Sequence, residues 1–341
     1  MSDRGHNVTV LTTRNRSYER NDQIFFPNTR IFRTPLLLSI KAARVFLHPL
    51  MFNRFKKYDI VHAFTFFTFS SVAASFFRAN KYFLRSEILD SKQTNCLKAE
   101  EFIYKALLLF YKNFYSKIYG YSVEEVSILK TFGFPERNVF LLPPMVDSTV
   151  FSHFSRKLQV SGAPLIIGTI GRISPTKGMH NIFRILEHLI KLSGNDFRFV
   201  LAGRIDNQKY AQSVFSKLSM VLGNKFTYLG EIPSPKVFYE QVDVVIVPSL
   251  EMETGSIVTL EAMAAGKVVI ANNLYPMNLY IRNSINGFLY DSFEDAGKKI
   301  ARLFDEPELK ESLSNAAQKD SLIFDLAKVC EDLEQEYFKA Y

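Results

Sequence analysis

The sequence predicts an α/β protein built from two doubly wound domains. At 341 residues the chain exceeds one ordinary core and suits two domains of about 150 residues each. In both halves short apolar runs alternate with stretches of helical periodicity, which is typical of a parallel sheet covered by helices. Residues 147–163 lack clear periodicity and indicate a linker, so we predict a first domain over 1–155 and a second over 163–322.

The first half predicts strands at the apolar runs and helices between them. Residues 14–34 are polar and predict a loop. In chain order the other elements are a strand at Asn7 to Thr12, a helix over Leu36 to Phe52, a strand at Tyr58 to Ala63, a helix over Thr65 to Phe77, a strand at Tyr82 to Leu84, helices over Glu100 to Tyr119 and 123–132, and a strand at Val139 to Leu142.

The second half repeats the alternation more regularly. Its predicted strands are Leu165 to Ile170, Phe197 to Ala202, Phe226 to Leu229, Val242 to Val247, Val268 to Ala271 and residues 287–290. Its predicted helices cover residues 179–193, 208–222, 235–241, 260–265, 294–305, 307–318 and 325–340. Gly266 follows one of these helices in the position of a C-terminal cap.

Charge and composition exclude several classes of protein. The net charge of +8 is concentrated in residues 1–150, which hold 21 Lys and Arg against 12 Asp and Glu. No nucleic-acid-binding module is recognisable, so we expect no nucleic-acid partner. Cys96 and Cys330 lie far apart, which indicates a reducing compartment. With no long apolar run and no signal-peptide pattern, a cytoplasmic location is predicted.

The segment from Gly171 to Gly178 is a candidate anion site. It follows a predicted strand and opens a helix, where backbone N–H groups and the helix dipole favour an anion. Arg172 and Lys177 add two cations that could neutralise a diphosphate. The alternative is a solvated basic turn. The spacing of a P-loop is missing.

Two acidic residues, Glu253 and Glu261, flank the start of the next candidate helix. As a glycosidase pair they fit poorly, because eight helical residues span about 12 Å and a retaining pair needs roughly 5 Å. We predict instead that Glu261 binds ribose hydroxyls and that Glu253 lies nearer the reacting group. The amides of Gly255, Ser256 and Ile257 would meet phosphate oxygens. The alternative is that both acids are ordinary surface residues.

A series of motifs carries a family resemblance across essentially the whole chain. In order they read R-G-H-N-V-T-V-L-T-T, D-I-V-H-A, Y-S-V-E-E, L-L-P-P-M-V-D-S-T-V-F, G-R-I-S-P-T-K-G, Y-L-G-E-I-P, V-D-V-V-I-V-P-S, E-T-G-S-I-V-T-L-E-A-M-A-A-G-K-V-V-I-A and I-N-G-F-L. Together they resemble the family 4 glycosyltransferases, which are retaining enzymes of the GT-B type. Glu253 and Glu261 match the family's Glu-x7-Glu motif.

The resemblance implies a GT-B fold, with two Rossmann-like domains facing across a cleft and a C-terminal helix, 323–341, that packs toward the first domain. It implies a nucleoside diphosphate sugar in the second domain, a glycan or lipid-linked acceptor in the first, and no metal or other cofactor. By position, the predicted catalytic residues are Glu253, Arg172 and Lys177. The predicted donor-binding residues are Glu261, Ile232 (through its backbone, to the base), Gly171, Gly203, Thr254, Gly255, Ser256 and Ile257.

Several departures from the family pattern affect the prediction. The family's opening strand and Gly-rich loop have no counterpart before Met1. Arg85 or Ser86 stands where the family often has a histidine, so Arg85 is a candidate for polar contact on the acceptor side. Asn272 and Asn273 replace an expected Gly-Gly pair. The alternative function is therefore a catalytically silent GT-B protein that binds a sugar nucleotide or a protein partner.

Two features of the first half concern the acceptor. His62 ends a predicted strand and is a candidate acceptor contact, the alternative being a core histidine with satisfied hydrogen bonds. Residues 41–57 and 102–119 mix Lys and Arg with Phe, Tyr and Leu. They are either core helices with solvated lysines or a face that binds an anionic membrane surface. We predict peripheral membrane association.

Overall fold

The computed structural model describes residues 1–13, 28–34, 38–40, 45–47, 58–63, 81–85, 106, 109, 115–151, 164–193, 197–250 and 255–339. The chain divides into two units, of which the first comprises Met1–Pro143 with Cys330–Tyr341 and the second Pro144–Val329. The predicted first domain ends at 155, which is later than Pro143, and the predicted second domain ends at 322, which is earlier than Val329. The first difference arises because Val146 and Phe151 are buried in a core of the second unit.

The described part of the first unit contains parallel and antiparallel strand pairs. β1 (Val8–Thr13) pairs in parallel with β2 (Thr29–Thr34), and β3 (Leu38–Ile40) pairs antiparallel with β4 (Val45–Leu47). A separate parallel sheet has the order β5 (Ile60–Ala63), β6 (Lys81–Arg85), β7 (Lys117–Gly120) and β8 (Val139–Leu141). A helix, Val123–Thr131, follows β7 and begins at a Ser122 side chain that accepts a hydrogen bond from the Glu125 N–H.

Three predictions for the first unit are wrong. The predicted helix over Glu100 to Tyr119 includes residues 117–119, which belong to the strand β7. Part of the predicted loop over 14–34 forms β2, whose sequence T-R-I-F-R-T has at its centre an isoleucine and a phenylalanine, two residue types that are frequent in strands. Within the predicted helix over Leu36 to Phe52, the described residues form the β3–β4 pair. Apolar runs as short as these fit a helix or a strand equally well, and pairing between them decides the outcome.

The last helix, Leu326–Lys339, contributes its C-terminal turns to the first unit. Glu334 accepts hydrogen bonds from Arg4 Nε at 2.7 Å and lies 2.5 Å from His6 Nε2. Glu336 forms an ion pair with Lys117 at 2.9 Å. These contacts attach the end of the chain to the residues around β1 and β7.

The second unit is a six-stranded parallel sheet in the order β11-β10-β9-β12-β13-β14. Its strands are β9 (Leu165–Ile170), β10 (Phe197–Ala202), β11 (Phe226–Tyr228), β12 (Val244–Val247), β13 (Val268–Asn272) and β14 (Phe288–Tyr290). Counted from β9, this is the doubly wound order 3-2-1-4-5-6. The direction of winding therefore reverses between β9 and β12, which are neighbours in the sheet.

Helices cover both faces of this sheet. Along β12 and β13, successive side chains enter two separate apolar cores: Val244 and Ile246 lie in one, Val245 and Val247 in the other. Strands buried on both faces explain the uninterrupted apolar runs in the sequence. The helices of the second unit are Ser148–Phe151, Ile182–Ser193, Gln208–Leu222, Lys236–Tyr239, Ile257–Ala264, Met277–Tyr280, Phe293–Asp305 and Pro307–Ser321.

Candidate functional site

The candidate site of the second unit lies at the carboxyl ends of β9 and β12. In open α/β sheets ligands bind in the crevice where the strand order reverses. A small pocket opens at that place, and both predicted loops contribute to it. Its lining residues are Thr169, Ile170, Gly171, Lys177, Met179, Ile246, Val247, Pro248, Ser249, Ser256 and Val258.

The loop after β9 is fixed to the loop after β12 by a close backbone approach. Pro175–Lys177 form a turn of 3-10 helix that ends at Gly178, whose φ is +67°. A Cβ on Gly178 would lie 1.9 Å from the carbonyl oxygen of Pro248. In addition, the Leu250 N–H donates to the Thr176 carbonyl at 3.1 Å. The glycine after Lys177 therefore places that lysine at the pocket.

Gly203, a predicted donor-binding residue, fits closely against the same region. It follows β10 with φ +139°, and a Cβ there would lie 1.8 Å from the carbonyl oxygen of Gly171. Its N–H donates to the Gly230 carbonyl at 2.8 Å. Backbone packing alone accounts for a glycine at this position, and a contact with the donor stays a prediction.

Arg172 projects from the loop toward a carboxylate that the sequence analysis did not single out. Its Nη1 donates to Asp206 Oδ2 at 2.9 Å, and the side chain remains 58% exposed. Arg204 donates to the other oxygen of Asp206 from Nε at 3.2 Å and Nη2 at 3.1 Å. The signal was present in the sequence as R-I-D after β10, but pairing with Arg172 depends on the tertiary structure.

The helix Ile257–Ala264 starts at the pocket. Ser256 precedes its first residue, is buried, and has its hydroxyl 2.8 Å from that of Thr259. The first N–H groups of a helix lack partners within it and attract anions. Gly255 is half-buried and the Ile257 side chain is exposed. Of the other predicted residues here, Glu253 and Thr254 lie outside the described residues.

Glu261 lies on this helix beside a buried tyrosine. Tyr239 Oη donates to Glu261 Oε2 at 3.1 Å and lies 3.2 Å from the Val258 carbonyl oxygen. Burial raises the pKa of Glu261, and the hydrogen bond from Tyr239 opposes that rise. Burial also raises the pKa of Tyr239, which keeps the hydroxyl protonated as a donor. The sequence gives no sign of this contact, because Tyr239 lies 22 residues before Glu261, in a different helix.

Ile232, the predicted backbone contact of the base, follows β11. Its side chain is partly buried and packs on the same core as Val258. The contact itself stays a prediction.

The predicted acceptor-side residues belong to the first unit. His62, on β5, has Nδ1 2.7 Å from the Tyr337 hydroxyl and Nε2 2.7 Å from the Tyr119 hydroxyl. Burial lowers the pKa of His62 to about 3, so the ring is neutral at pH 7. Both ring nitrogens have partners, which favours the structural alternative for this histidine. Arg85 is the last residue of β6.

A larger cavity, of about 680 Å³, opens on the first unit. It lies at the amino ends of β7 and β8, since it includes their first residues, Lys117 and Val139. This is the sheet edge opposite to the one where α/β proteins bind ligands. Its size therefore does not make it the candidate site.

Two absences are stated for the described residues alone. Among them, no three His, Cys, Asp or Glu side chains are grouped so that they could hold a metal ion. Within the same part of the chain, no helix is both long and apolar enough to cross a membrane.

Comparison with known sequences identifies the family to which the second unit is similar. Residues 151–320 match the family model described as "Glycosyl transferases group 1". An uncharacterized glycosyltransferase of Methanocaldococcus jannaschii is 28% identical over 172 residues, 49% of this chain and 43% of that protein. A lipopolysaccharide 1,2-N-acetylglucosaminetransferase of Salmonella typhimurium is 27% identical over 140 residues, 39% of this chain and 36% of that protein. The chain thus aligns with less than half the length of these relatives.

Comparison with solved structures extends over both units. Anabaena Alr3699/HepE in complex with UDP superposes with a TM-score of 0.74 at 17% identity, covering 97% of this chain and 99% of that chain. Its complex with UDP and glucose gives a TM-score of 0.70 at 18% identity, over 91% and 85% of the two chains. This likeness confirms the predicted α/β fold of GT-B type, with two Rossmann-like domains.

Proposed function

We propose that the chain transfers a hexose from a nucleoside diphosphate sugar to a glycan or lipid-linked acceptor, because residues 151–320 match the model of the glycosyl transferases group 1 family. The proposal includes retention of configuration at the transferred carbon and membership of family 4, both of which the sequence motifs suggest. It includes chemistry without a metal. It also places the protein in the cytoplasm, at an anionic membrane surface.

One observation carries the proposal. Lys177, the glycine-rich turn of Gly171 and the N-terminal end of the helix Ile257–Ala264 converge on one pocket at the switch point of the sheet. A cation together with the first N–H groups and the dipole of a helix suits the diphosphate of a nucleotide sugar. Arg172 lies on the same loop, with N–H groups in addition to the one that contacts Asp206.

The residues take separate roles in the proposed reaction. The acceptor hydroxyl forms a bond to the anomeric carbon as the bond from that carbon to the diphosphate oxygen breaks, and the hydroxyl proton passes to the leaving diphosphate. Negative charge then grows on the leaving nucleoside diphosphate, where Arg172 and Lys177 stabilise it. Glu261 accepts hydrogen bonds from the ribose hydroxyls, and Ile232 meets the base. Glu253 contacts the sugar.

The nature of both substrates is inferred from relatives. HepE was solved with UDP and with UDP and glucose, so a uridine nucleotide is the first donor to test. The Salmonella relative acts in lipopolysaccharide synthesis by its name, which supports a glycan or lipid-linked acceptor. The competing function is a silent protein that binds a nucleotide sugar without transferring it.

The test is a donor screen on the full chain. UDP-glucose, UDP-galactose, UDP-N-acetylglucosamine and GDP-mannose are each assayed for a thermal shift and for release of the nucleoside diphosphate in the presence and absence of glycan and lipid-linked acceptors. A donor that binds to the folded state alone raises the unfolding midpoint. Turnover with one donor supports the enzyme, and NMR of the product gives the anomeric configuration. A thermal shift without turnover identifies the silent alternative. The absence of both a thermal shift and turnover with every donor contradicts both functions.

A further inference from the structure

The carboxylate of Asp206 joins two arginines on different loops of the second unit. Oδ2 accepts from Arg172 Nη1 at 2.9 Å, on the loop after β9. Oδ1 accepts from Arg204 Nε at 3.2 Å and Nη2 at 3.1 Å, on the loop after β10. Each oxygen of Asp206 thus accepts from one of the two guanidinium groups.

The backbone keeps the two loops in register. The Ile173 N–H donates to the Arg204 carbonyl at 2.8 Å, and Ile173 and Ile205 form a parallel bridge. Behind them Gly203 packs against Gly171 with no room for a Cβ. Asp206 therefore meets Arg172 from a position that main-chain contacts determine.

The exposure of the three side chains argues against a role in stability. The side chain of Arg172 is 58% exposed, that of Arg204 40% and that of Asp206 24%. Exposed ion pairs contribute little to the free energy of folding, because solvent screens them and ordering the side chains costs entropy. An arginine on its own would sample many rotamers at such a surface, whereas a carboxylate partner restricts it.

We propose that Asp206 is the positioning residue for Arg172, holding its guanidinium where the donor diphosphate binds, and that Arg204 keeps the Asp206 carboxylate in place. This inference rests on the proposed function, because it assigns the direction of Arg172 in that reaction. Asp206 touches no substrate. It acts by leaving the remaining N–H groups of Arg172 oriented for the charge that develops on the leaving group.

The first experiment measures kcat and donor KM for Asp206→Asn with the most rapidly hydrolysed nucleotide sugar of the four-member panel. We expect kcat to fall about 10-fold while KM changes less than about threefold, since orientation matters most in the transition state. Asp206→Glu should recover most of the loss. Glu306→Gln is the matched control, because it removes a carboxylate from an exposed arginine, Arg302, remote from the pocket.

A double-mutant cycle separates positioning from a general charge effect. With Arg172 changed to Ala, Asp206→Asn should alter kcat by less than about twofold, because the residue it positions is gone. The same loss of kcat with and without Arg172, or an Asp206→Asn variant equal to Glu306→Gln, overturns the inference. Thermal unfolding midpoints identify a folding defect, and in that case Arg204→Gln takes the place of Asp206→Asn in the cycle.

The proposed function and this inference fail in different ways. If the wild-type chain neither binds UDP in a calorimeter nor hydrolyses any donor, the proposed function is wrong and the inference is wrong with it. If the wild type hydrolyses or transfers a donor and Asp206→Asn does so at the rate of the control variant, the proposed function is retained and the positioning role of Asp206 is rejected.

Discussion

Tyr239 Oη donates a hydrogen bond to Glu261 Oε2 at 3.1 Å, from a tyrosine whose side chain is completely buried. Burial raises the pKa of Glu261, whereas this hydrogen bond favours the charged carboxylate and lowers it. The pair thus joins the core of the second unit to the carboxylate that we propose binds ribose. Its electrostatics determine at which pH that carboxylate can act.

We expect nucleotide affinity to depend on the charge of Glu261. Because its folded-state pKa is raised, the carboxyl takes up a proton at a higher pH than an ordinary glutamate as the pH falls. Protonation removes the anionic acceptor of the ribose hydroxyls, so UDP affinity should fall as the pH drops through the raised pKa. Calorimetric titrations of UDP between pH 4 and 8 measure this. Glu261→Gln should bind more weakly and lose this step, whereas an unchanged step would assign it to another group.

Tyr239→Phe should move that acidic step to higher pH. The substitution removes the hydrogen bond that stabilises the charged form and leaves the burial that disfavours it, so the pKa of Glu261 rises further. At pH 8 the variant should bind UDP about as well as the wild type. The control is the double variant Tyr239→Phe with Glu261→Gln, in which UDP affinity should show no acidic step. A step at the wild-type pH in Tyr239→Phe would contradict the coupling.

Turnover should depend strongly on the two cations of the loop after β9. We expect Arg172→Ala and Lys177→Ala each to lower kcat by about 10²-fold or more, as the loss of one charge-stabilising group does in other transferases and hydrolases. Steady-state kinetics with the preferred donor gives the values. Arg198→Ala and Lys191→Ala are matched controls, because both side chains are exposed on the second unit, one on β10 and one on the helix Ile182–Ser193, and neither belongs to the loops after β9 and β12. Wild-type rates in both loop variants would refute the site.

Gly178→Ala should destabilise the protein far more than Gly5→Ala. Both glycines lie in the left-handed helical region, with φ and ψ of +67° and +15° at Gly178 and of +89° and +2° at Gly5, so an alanine at either costs about 1 kcal/mol for the backbone alone. A Cβ at Gly5 meets nothing within 4 Å, whereas at Gly178 it would lie 1.9 Å from the Pro248 carbonyl oxygen. We expect Gly178→Ala to cost about 2 kcal/mol more in urea unfolding. Equal losses would mean that the two loops separate readily.

The basic, aromatic stretches 41–57 and 102–119 predict binding to anionic vesicles. Most of their residues lie outside the described part of the chain, so the expectation rests on sequence. Flotation with phosphatidylglycerol vesicles at low salt should carry the protein up, and the fraction bound should fall with added salt because screening weakens charge attraction. Replacing Lys56 and Lys57 by Glu should reduce binding, with Lys191 and Lys209 changed likewise as the control. Absence from the floated fraction at low salt rejects this partner.

Sequence alone predicted the second unit closely. β9 and β10 begin and end where their apolar runs do, and the helix Gln208–Leu222 has its predicted bounds. Strands buried on both faces leave unbroken apolar runs, and glycines with positive φ mark the turns after them. In the first unit β2, β3 and β4 were missed, because their short runs fit more than one period. The strand β7 was missed too, because its residues continue an apolar stretch that predicts a helix.

The sequence predicts those parts of the candidate site in which the charged residues lie together on one loop. It does not predict the contacts between residues that are distant in the sequence. Arg172 and Lys177 stand on one loop beside a glycine turn, so local sequence suggests an anion. Asp206 meets Arg172 across 34 residues, through a bridge between loops that no local pattern reveals. The contact of Tyr239 with Glu261 likewise joins residues 22 positions apart, and only the fold brings the tyrosine hydroxyl to the carboxylate.

The contact between Gly178 and the Pro248 carbonyl limits how this protein could be redesigned. A library of variants would change the segment after β12 so that the site admits a new sugar. Every variant that changed the main-chain path at Pro248 would also displace the loop after β9, which carries Lys177. Substitutions that preserve that path leave the lysine in place. Altered specificity is therefore more accessible through side chains beyond Leu250 than through insertions before it.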